Sequence, residues 1–283
     1  MKKTLMLRFC MSSLWMAALV GPIWPATATA QAPLNAPAAA KALHPWQAST
    51  PHLTEQASFT NLEDGAKIQT PYLLHFGLDD GWGLAPTTSP VAGKSGHHHL
   101  LINRDLPLDF KKALPFNNQY IHFGKGQMES VLTMAPGVYT LRLLLADDQH
   151  LPRFVYSKPI QITVTKNNKD VDLKSLVKPG ISFVKLPVGD KVAGIFNVQF
   201  HASGLNVGHQ SQQVQGTGHF RLAMTPQGGG KPAELDFPEG QTGAWLQPPA
   251  GTYSLKLDFV DNVHPDKLLA PAAVAALQVL PAR

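Results

Sequence analysis

The chain repeats itself, and no other feature of the sequence limits the possible folds as tightly. Phe123-x-x-Gly126-Gln127 returns as Phe237-x-x-Gly240-Gln241. Pro136-Gly137-Val138-Tyr139-Thr140-Leu141-Arg142-Leu143 returns as Ala250-Gly251-Thr252-Tyr253-Ser254-Leu255-Lys256-Leu257. Asp147 and His150 return as Asp261 and His264, all at a spacing of 114 residues. Upstream, Gly96-His97 pairs with Gly218-His219 at a spacing of 122, and Ser58-Phe59 with Ser182-Phe183 at 124. The spacing changes only between these blocks, where loops of unequal length fall. Two homologous domains are therefore expected over 55–166 and 179–282, joined by a Lys-, Asn- and Asp-rich linker at 167–178.

Within each copy, short apolar runs alternate with Gly, Pro and Asn clusters, and no long segment keeps a helical period. That pattern predicts an all-β chain of two tandem, immunoglobulin-like β-sandwiches with about seven strands each. In the first copy the strands are expected near 57–62, 68–78, 97–104, 119–123, 128–134, 138–147 and 157–165. The duplication also sets register, because alternate residues of a strand face opposite sides and a core position stays apolar in both copies. Tyr139, Leu141, Leu143 and Leu145 match Tyr253, Leu255, Leu257 and Phe259, so this row faces the core. His98, Leu100 and Ile102 match Phe220, Leu222 and Met224, a second core row. His97, His99 and Leu101 match His219, Arg221 and Ala223, and the charged Arg221 predicts that this row opens to solvent or a cleft.

Five of the twelve histidines lie between Gly96 and His150. His97 and His99, two apart on one strand, present imidazoles close enough to share Zn²⁺ or Cu²⁺ if a third ligand arrives from a neighbouring strand. His122 and His150 are the leading candidates for that position, and His75 is the next. Asp147, Asp148, Glu129 and Gln127 are weaker oxygen donors or partners that orient an imidazole. Other positions have plainer readings: His98 as a core residue, Asp147 and Asp261 as turn caps, Lys125 as surface. His44 and His52, and the polar His201, His209 and His219 group of the second copy, are expected in solvent.

The first thirty residues carry Lys2, Lys3 and Arg8, an apolar run from Cys10 to Trp24, and Ala28-Thr29-Ala30, the layout of a cleaved secretory signal. A flexible lead-in is expected over 31–54, with Pro33, Pro37, Pro45 and Pro51. Cleavage would lower the formal charge from +5 to 5 − 3 = +2, which gives no reason to expect a nucleic-acid partner. It would also remove Cys10, the single cysteine, so a metal site must use His, carboxylate, Met or backbone oxygen. No apolar stretch of the mature chain reaches the roughly 20 residues of a membrane span. A periplasmic or secreted protein is expected.

The first copy resembles a family of bacterial secreted domains of unknown function. The resemblance rests on Gly96-His97-His98-His99-Leu100-Leu101-Ile102, on His122-Phe123-Gly124-Lys125-Gly126-Gln127-Met128-Glu129 and on Pro136 to His150. It implies domain boundaries rather than an activity. The chain lacks the Gly-x-Ser-x-Gly elbow, His-Glu-x-x-His, P-loop and dinucleotide fingerprints, so a binding role is expected rather than an enzyme, although the same histidines with one open coordination position would suit a metal-assisted hydrolase or oxidase. The leading expectation is copper or zinc held by His97, His99, His122 and His150. The alternative is a non-catalytic module docking on an envelope protein or glycan through aromatics such as Trp82 and Trp245.

Overall fold

The computed structural model describes residues 43–48, 56–79, 81–186 and 191–281. The expected signal, residues 1–30, and His52 lie outside the described residues. From Leu43 onward the chain forms one compact unit. Among the described residues no helix is long and apolar enough to cross a membrane.

The first copy supplies β1 (Ala57–Phe59), β2 (Lys67–Thr70), β3 (Tyr72–Leu78), β4 (Gly83–Leu84) and β5 (Ser95–Ile102). It continues with β6 (Tyr120–His122), β7 (Glu129–Leu132), β8 (Gly137–Ala146), β9 (Pro152–Tyr156) and β10 (Ile160–Asn167). A single helical turn, α1 (Leu173–Leu176), capped by the Asp172 side chain, leads into the second copy. There β11 (Gly180–Lys185), β12 (Lys191–Ala193), β13 (Phe196–Ser203), β14 (Asn206–Val207) and β15 (Thr217–Pro226) are followed by β16 (Ala233–Asp236), β17 (Gly243–Leu246), β18 (Gly251–Asp261) and β19 (Ala273–Leu280).

Each copy is a β-sandwich of the same topology. In the first, the sheet β1-β3-β7 faces the sheet β2-β10-β8-β5-β4, with β6 added to β5 and β9 to β8. In the second, β11-β13-β17 faces β12-β19-β18-β15-β14, with β16 added to β15. The core rows are those set by the duplication: Leu100, Leu141, Leu143 and Leu145 in one copy, and Phe220, Leu222, Leu255, Leu257 and Phe259 in the other, are fully buried. Both cores belong to one continuous apolar cluster. The paired tyrosines have the same task, each hydroxyl donating to a carbonyl four residues upstream: Tyr139 to Ala135 at 3.0 Å and Tyr253 to Pro249 at 2.8 Å. This is the tyrosine-corner device of immunoglobulin-type sandwiches.

Three details depart from the sequence expectation. The strand expected over 68–78 divides at Pro71, which lacks an N–H, and its halves β2 and β3 join opposite sheets. β9 escapes the sequence pattern because it begins on Pro152 and carries no clean alternation, as suits an edge strand. β4 is two residues long and too short to leave a pattern. Within the expected lead-in, residues 43–48 run along β17: Ala48 N–H donates to Trp245 O and Gln247 N–H to Trp46 O, both at 2.8 Å, while the Trp46 ring meets Tyr253 edge-on.

The two copies meet through a reciprocal exchange. Leu84 N–H of β4 donates to Gly240 O of the second copy at 2.8 Å, and Val207 N–H of β14 donates to Gly126 O of the first at 2.9 Å. Gly126 and Gly240 are left-handed, with φ of +85° and +78°, and a Cβ at either would overlap the facing carbonyl, Val207 O or Leu84 O. The adjoining glutamines brace the same turns, Gln127 Oε1 accepting from Lys125 N–H at 2.9 Å and Gln241 Oε1 from Glu239 N–H at 3.2 Å. The repeated Phe-x-x-Gly-Gln thus marks the seam between copies.

Candidate metal centre

Strand β5 lies between β8 on one side and β4 and β6 on the other, so its two side-chain rows enter different environments. His98, Leu100 and Ile102 point into the sandwich. His98 is fully buried, its ring edge-on to Phe76 at 5.4 Å, and neither ring nitrogen has a hydrogen-bond partner. His97 and His99 point to the opposite face, where His99 is the direct cross-strand neighbour of His122 on β6. His150 arrives from the turn after β8, in a left-handed conformation with φ of 63°. That turn is fixed by Asp147, whose Oδ1 accepts from Gln149 N–H at 3.0 Å and Leu151 N–H at 2.9 Å.

The structure brings His97, His99, His122 and His150 together, with one ring nitrogen from each lying within 4.8 Å of the others. The Nε2 atoms of His97 and His99 are 2.8 Å apart, and those of His122 and His150 are 3.3 Å apart. Ring centroids of neighbours are separated by 4.6 Å for His97 and His122 and by 4.7 Å for His122 and His150. Gly124 makes room for the His122 ring, because a Cβ there would overlap His122 Nε2. Phe116, 62% exposed, stands edge-on to both His122 and His150 on the solvent side.

The outer row is not open, as the second copy suggests it should be: His97 and His99 are 1% and 0% exposed. The cause is a covering segment between β5 and β6. The repeat spacing falls from 122 before it to 114 after it, so the first copy carries 122 − 114 = 8 additional residues there. Leu114 from this segment is buried against Leu101, Leu144 and Ala146, with Leu106, Phe110 and Tyr120 packed around them. Its N–H donates to His150 O at 2.9 Å, tying the cover to the fourth histidine.

Burial favours the neutral form of His97, His98, His99 and His122. It pushes His97 down to about 2, with the neighbouring His99, His122, His150 and His98 adding to the effect, and His99 down to about 3, helped by His122, His150 and His98. His98 is also lowered to about 3, by burial. His122 is lowered by burial and by His150. Neutral imidazole is the ligand form, so protons at neutral pH compete little for these nitrogens. At zinc–nitrogen bonds of about 2.0–2.1 Å, a tetrahedral ion places its ligands about 3.3 Å apart. The His122–His150 separation matches that edge, and His97 and His99 need to part by about half an ångström. The Nδ1 atoms of His97 and His99 have no hydrogen-bond partner, so the orienting acceptor that usually backs a ligating histidine is missing behind both.

The other candidate donors lie elsewhere. His75 and Glu129 belong to a different group with His201 at the seam between copies. Gln127 is occupied in its own turn, and Asp147 holds the His150 turn and sits 3.6 Å from Arg153. His201 and His219, expected in solvent, are 2% and 0% exposed, since both lie on strands that face neighbouring elements. In the second copy the position equivalent to the four histidines is closed internally. His219 Nε2 lies 3.1 Å from Asp236 Oδ1, where His122 stands in the first copy, and Arg221, in place of His99, lies 3.6 Å from the same oxygen. His264, the counterpart of His150, is exposed. Trp82, offered by the docking alternative, is partly buried and packs against the core.

A duplicated all-β chain with four converging imidazoles, two buried and two half-buried, defines a class: tandem β-sandwich domains, one of which carries a histidine cluster on the covered outer face of a sheet. Residues 74–165 and 198–275 match the family described as a domain of unknown function, DUF4399. These two matches cover 92 + 78 = 170 of the 283 residues, and the chain belongs to that family. No curated protein matches the chain. Among solved structures, it is similar to the fibronectin(III)-like modules of CbhA from Clostridium thermocellum at 10% identity, over 80% of this chain and 95% of that one, with a TM-score of 0.26. The two-domain fibronectin type III segment of chicken tenascin gives 14% identity over 79% and 98%, with a TM-score of 0.23. Latent PorU from Porphyromonas gingivalis gives 10% identity over 80% and 20%, with a TM-score of 0.25. At these scores the fold rests on the sheets described above and not on the likeness.

Proposed function

We propose that this chain is an exported, periplasmic protein that binds a divalent transition metal, copper or zinc, through His97, His99, His122 and His150. The observation that carries the reading is the convergence of four ring nitrogens within 4.8 Å of one another in a largely buried pocket. Facing imidazoles bring ring-nitrogen lone pairs together, and enclosing such a group without a cation is costly. Imidazole suits both copper and zinc, and copper binds the more tightly to a given nitrogen set. The second copy supports the reading from the other direction: where His99 and His122 are replaced, an Arg221–Asp236 pair supplies the cation and anion internally. Export rests on the signal-like pattern of the first thirty residues.

The test is metal content after exposure to Cu²⁺ or Zn²⁺ and desalting. Wild-type protein is expected to retain one equivalent more than the His97→Asn/His99→Asn variant. Equal retention by the two proteins for both metals would overturn the assignment.

A further inference from the structure

A second group of donors lies where the two copies meet. His75 on β3 and Glu129 on β7 are direct cross-strand neighbours in the first copy, and His201 reaches them from β13 of the second. His201 Nε2 lies 3.0 Å from Glu129 Oε2, and His75 Nε2 lies 3.7 Å from the same oxygen. The two imidazoles stack with centroids 4.0 Å apart and planes inclined by 20°, so they approach the carboxylate side by side. Glu129 Oε1 is committed elsewhere, accepting from Ser203 Oγ at 3.0 Å and Gly204 N–H at 2.8 Å. Those bonds fix the carboxylate and leave Oε2 facing the rings.

Hydrogen bonding alone does not complete this arrangement. One N–H from His201 satisfies Oε2 at 3.0 Å, but 3.7 Å is too long for a hydrogen bond from His75, whose Nε2 is buried and has no hydrogen-bond partner. A cation bonded to all three atoms would use that nitrogen. Two imidazoles and one carboxylate are a donor set that zinc takes with three protein ligands. The separations of 3.0 and 3.7 Å bracket the edge of about 3.3 Å that a tetrahedral ion requires. His201 is buried, whereas the His75 side chain is 26% exposed and offers the way in.

We infer that His75, Glu129 and His201 form a second, zinc-type divalent-cation site that clamps the first copy to the second. The duplication provides one such site and not two. The positions equivalent to His75, His201 and Glu129 are Gln199, Gly77 and Gly243, which cannot reproduce the donor set. Gln199 faces Gly243 across β13 and β17 as His75 faces Glu129 across β3 and β7. The inference does not depend on the four-histidine assignment, since no residue is shared.

The experiment is zinc content and thermal unfolding of the full chain in the His97→Asn/His99→Asn background, with and without His75→Gln or Glu129→Gln. His75→Gln places at 75 the residue found in the second copy and leaves the Glu129 contacts to His201, Ser203 and Gly204 in place. The expected result is one zinc retained per chain in the background variant, a rise in Tm of several degrees on adding zinc, and loss of both with either further substitution. No zinc retained by the background variant, or retention unchanged by His75→Gln and Glu129→Gln, would overturn the inference. Wild-type protein holding a single zinc that survives His97→Asn/His99→Asn but not His75→Gln would instead exclude zinc from the four-histidine site and leave this one standing.

Discussion

The ring of His122 fills the space that a side chain at Gly124 would require, so the glycine two residues on sets where that imidazole can sit. Gly124→Ala would drive the His122 ring away from His150, which it now meets at 3.3 Å. The expected outcome is a fall in Cu²⁺ or Zn²⁺ affinity of at least tenfold, or about 1.4 kcal/mol, measured by competition with a chelator. Stability of the metal-free protein should change by less than that, because His122 is only half-buried.

Asp147 acts on the same centre from a distance. Its carboxylate bonds the N–H groups on either side of His150 and holds that residue in its left-handed turn. Asp147→Ala should weaken metal binding by about tenfold while costing about 1 kcal/mol of stability, as loss of a turn-capping side chain does. Asp148→Ala, one residue on, serves as the control, with metal affinity unchanged in the same competition assay.

The buried histidines predict acid lability. His97, His98 and His99 have folded-state pKa values of about 2, 3 and 3, against 6.5 when unfolded. Below pH 6.5 the unfolded chain therefore binds more protons, and stability, full above that value, is lost as pH falls. Between about pH 7 and pH 5 each such histidine costs about 2 kcal/mol. His98→Phe, which copies Phe220 of the second copy, removes one of the three. His75, lowered to about 4, adds a fourth such contribution, so urea midpoints of the metal-free protein should then fall by about one quarter less between those two pH values, with retention of added metal unchanged.

Gly126→Ala and Gly240→Ala each set a methyl group against a carbonyl of the other copy in a left-handed turn. Each should cost more than about 2 kcal/mol, read as a fall in Tm of several degrees. Gly65, with φ of +78° and open space where a methyl group would sit, separates the two effects: Gly65→Ala should show the backbone strain alone, about 1 kcal/mol.

Much of this architecture is legible in the sequence. The constant spacing of 114 identifies the duplication, and apolar matching at Leu100 and Leu222 or Leu141 and Leu255 sets the strand registers. The same alternation separates His98 from His97 and His99. What it cannot show is the cover over the outer row. Arg221 reports on a copy that lacks the additional residues before β6, so its charge says nothing about how deeply His99 lies. The seam cluster is hidden for a different reason. His201 aligns with Gly77, so no comparison between copies can flag it, and its partners come from strands 72 and 126 residues away in sequence. Only the packing of β3 against β13 joins them.

The reciprocal seam also bears on how the molecule comes apart. Each half of the chain keeps a backbone socket that only the other half fills, Gly126 receiving Val207 and Gly240 receiving Leu84. A protease cut in the connection around α1 would sever the polypeptide without emptying either socket. The nicked protein should migrate as a single particle until denaturant releases both fragments together.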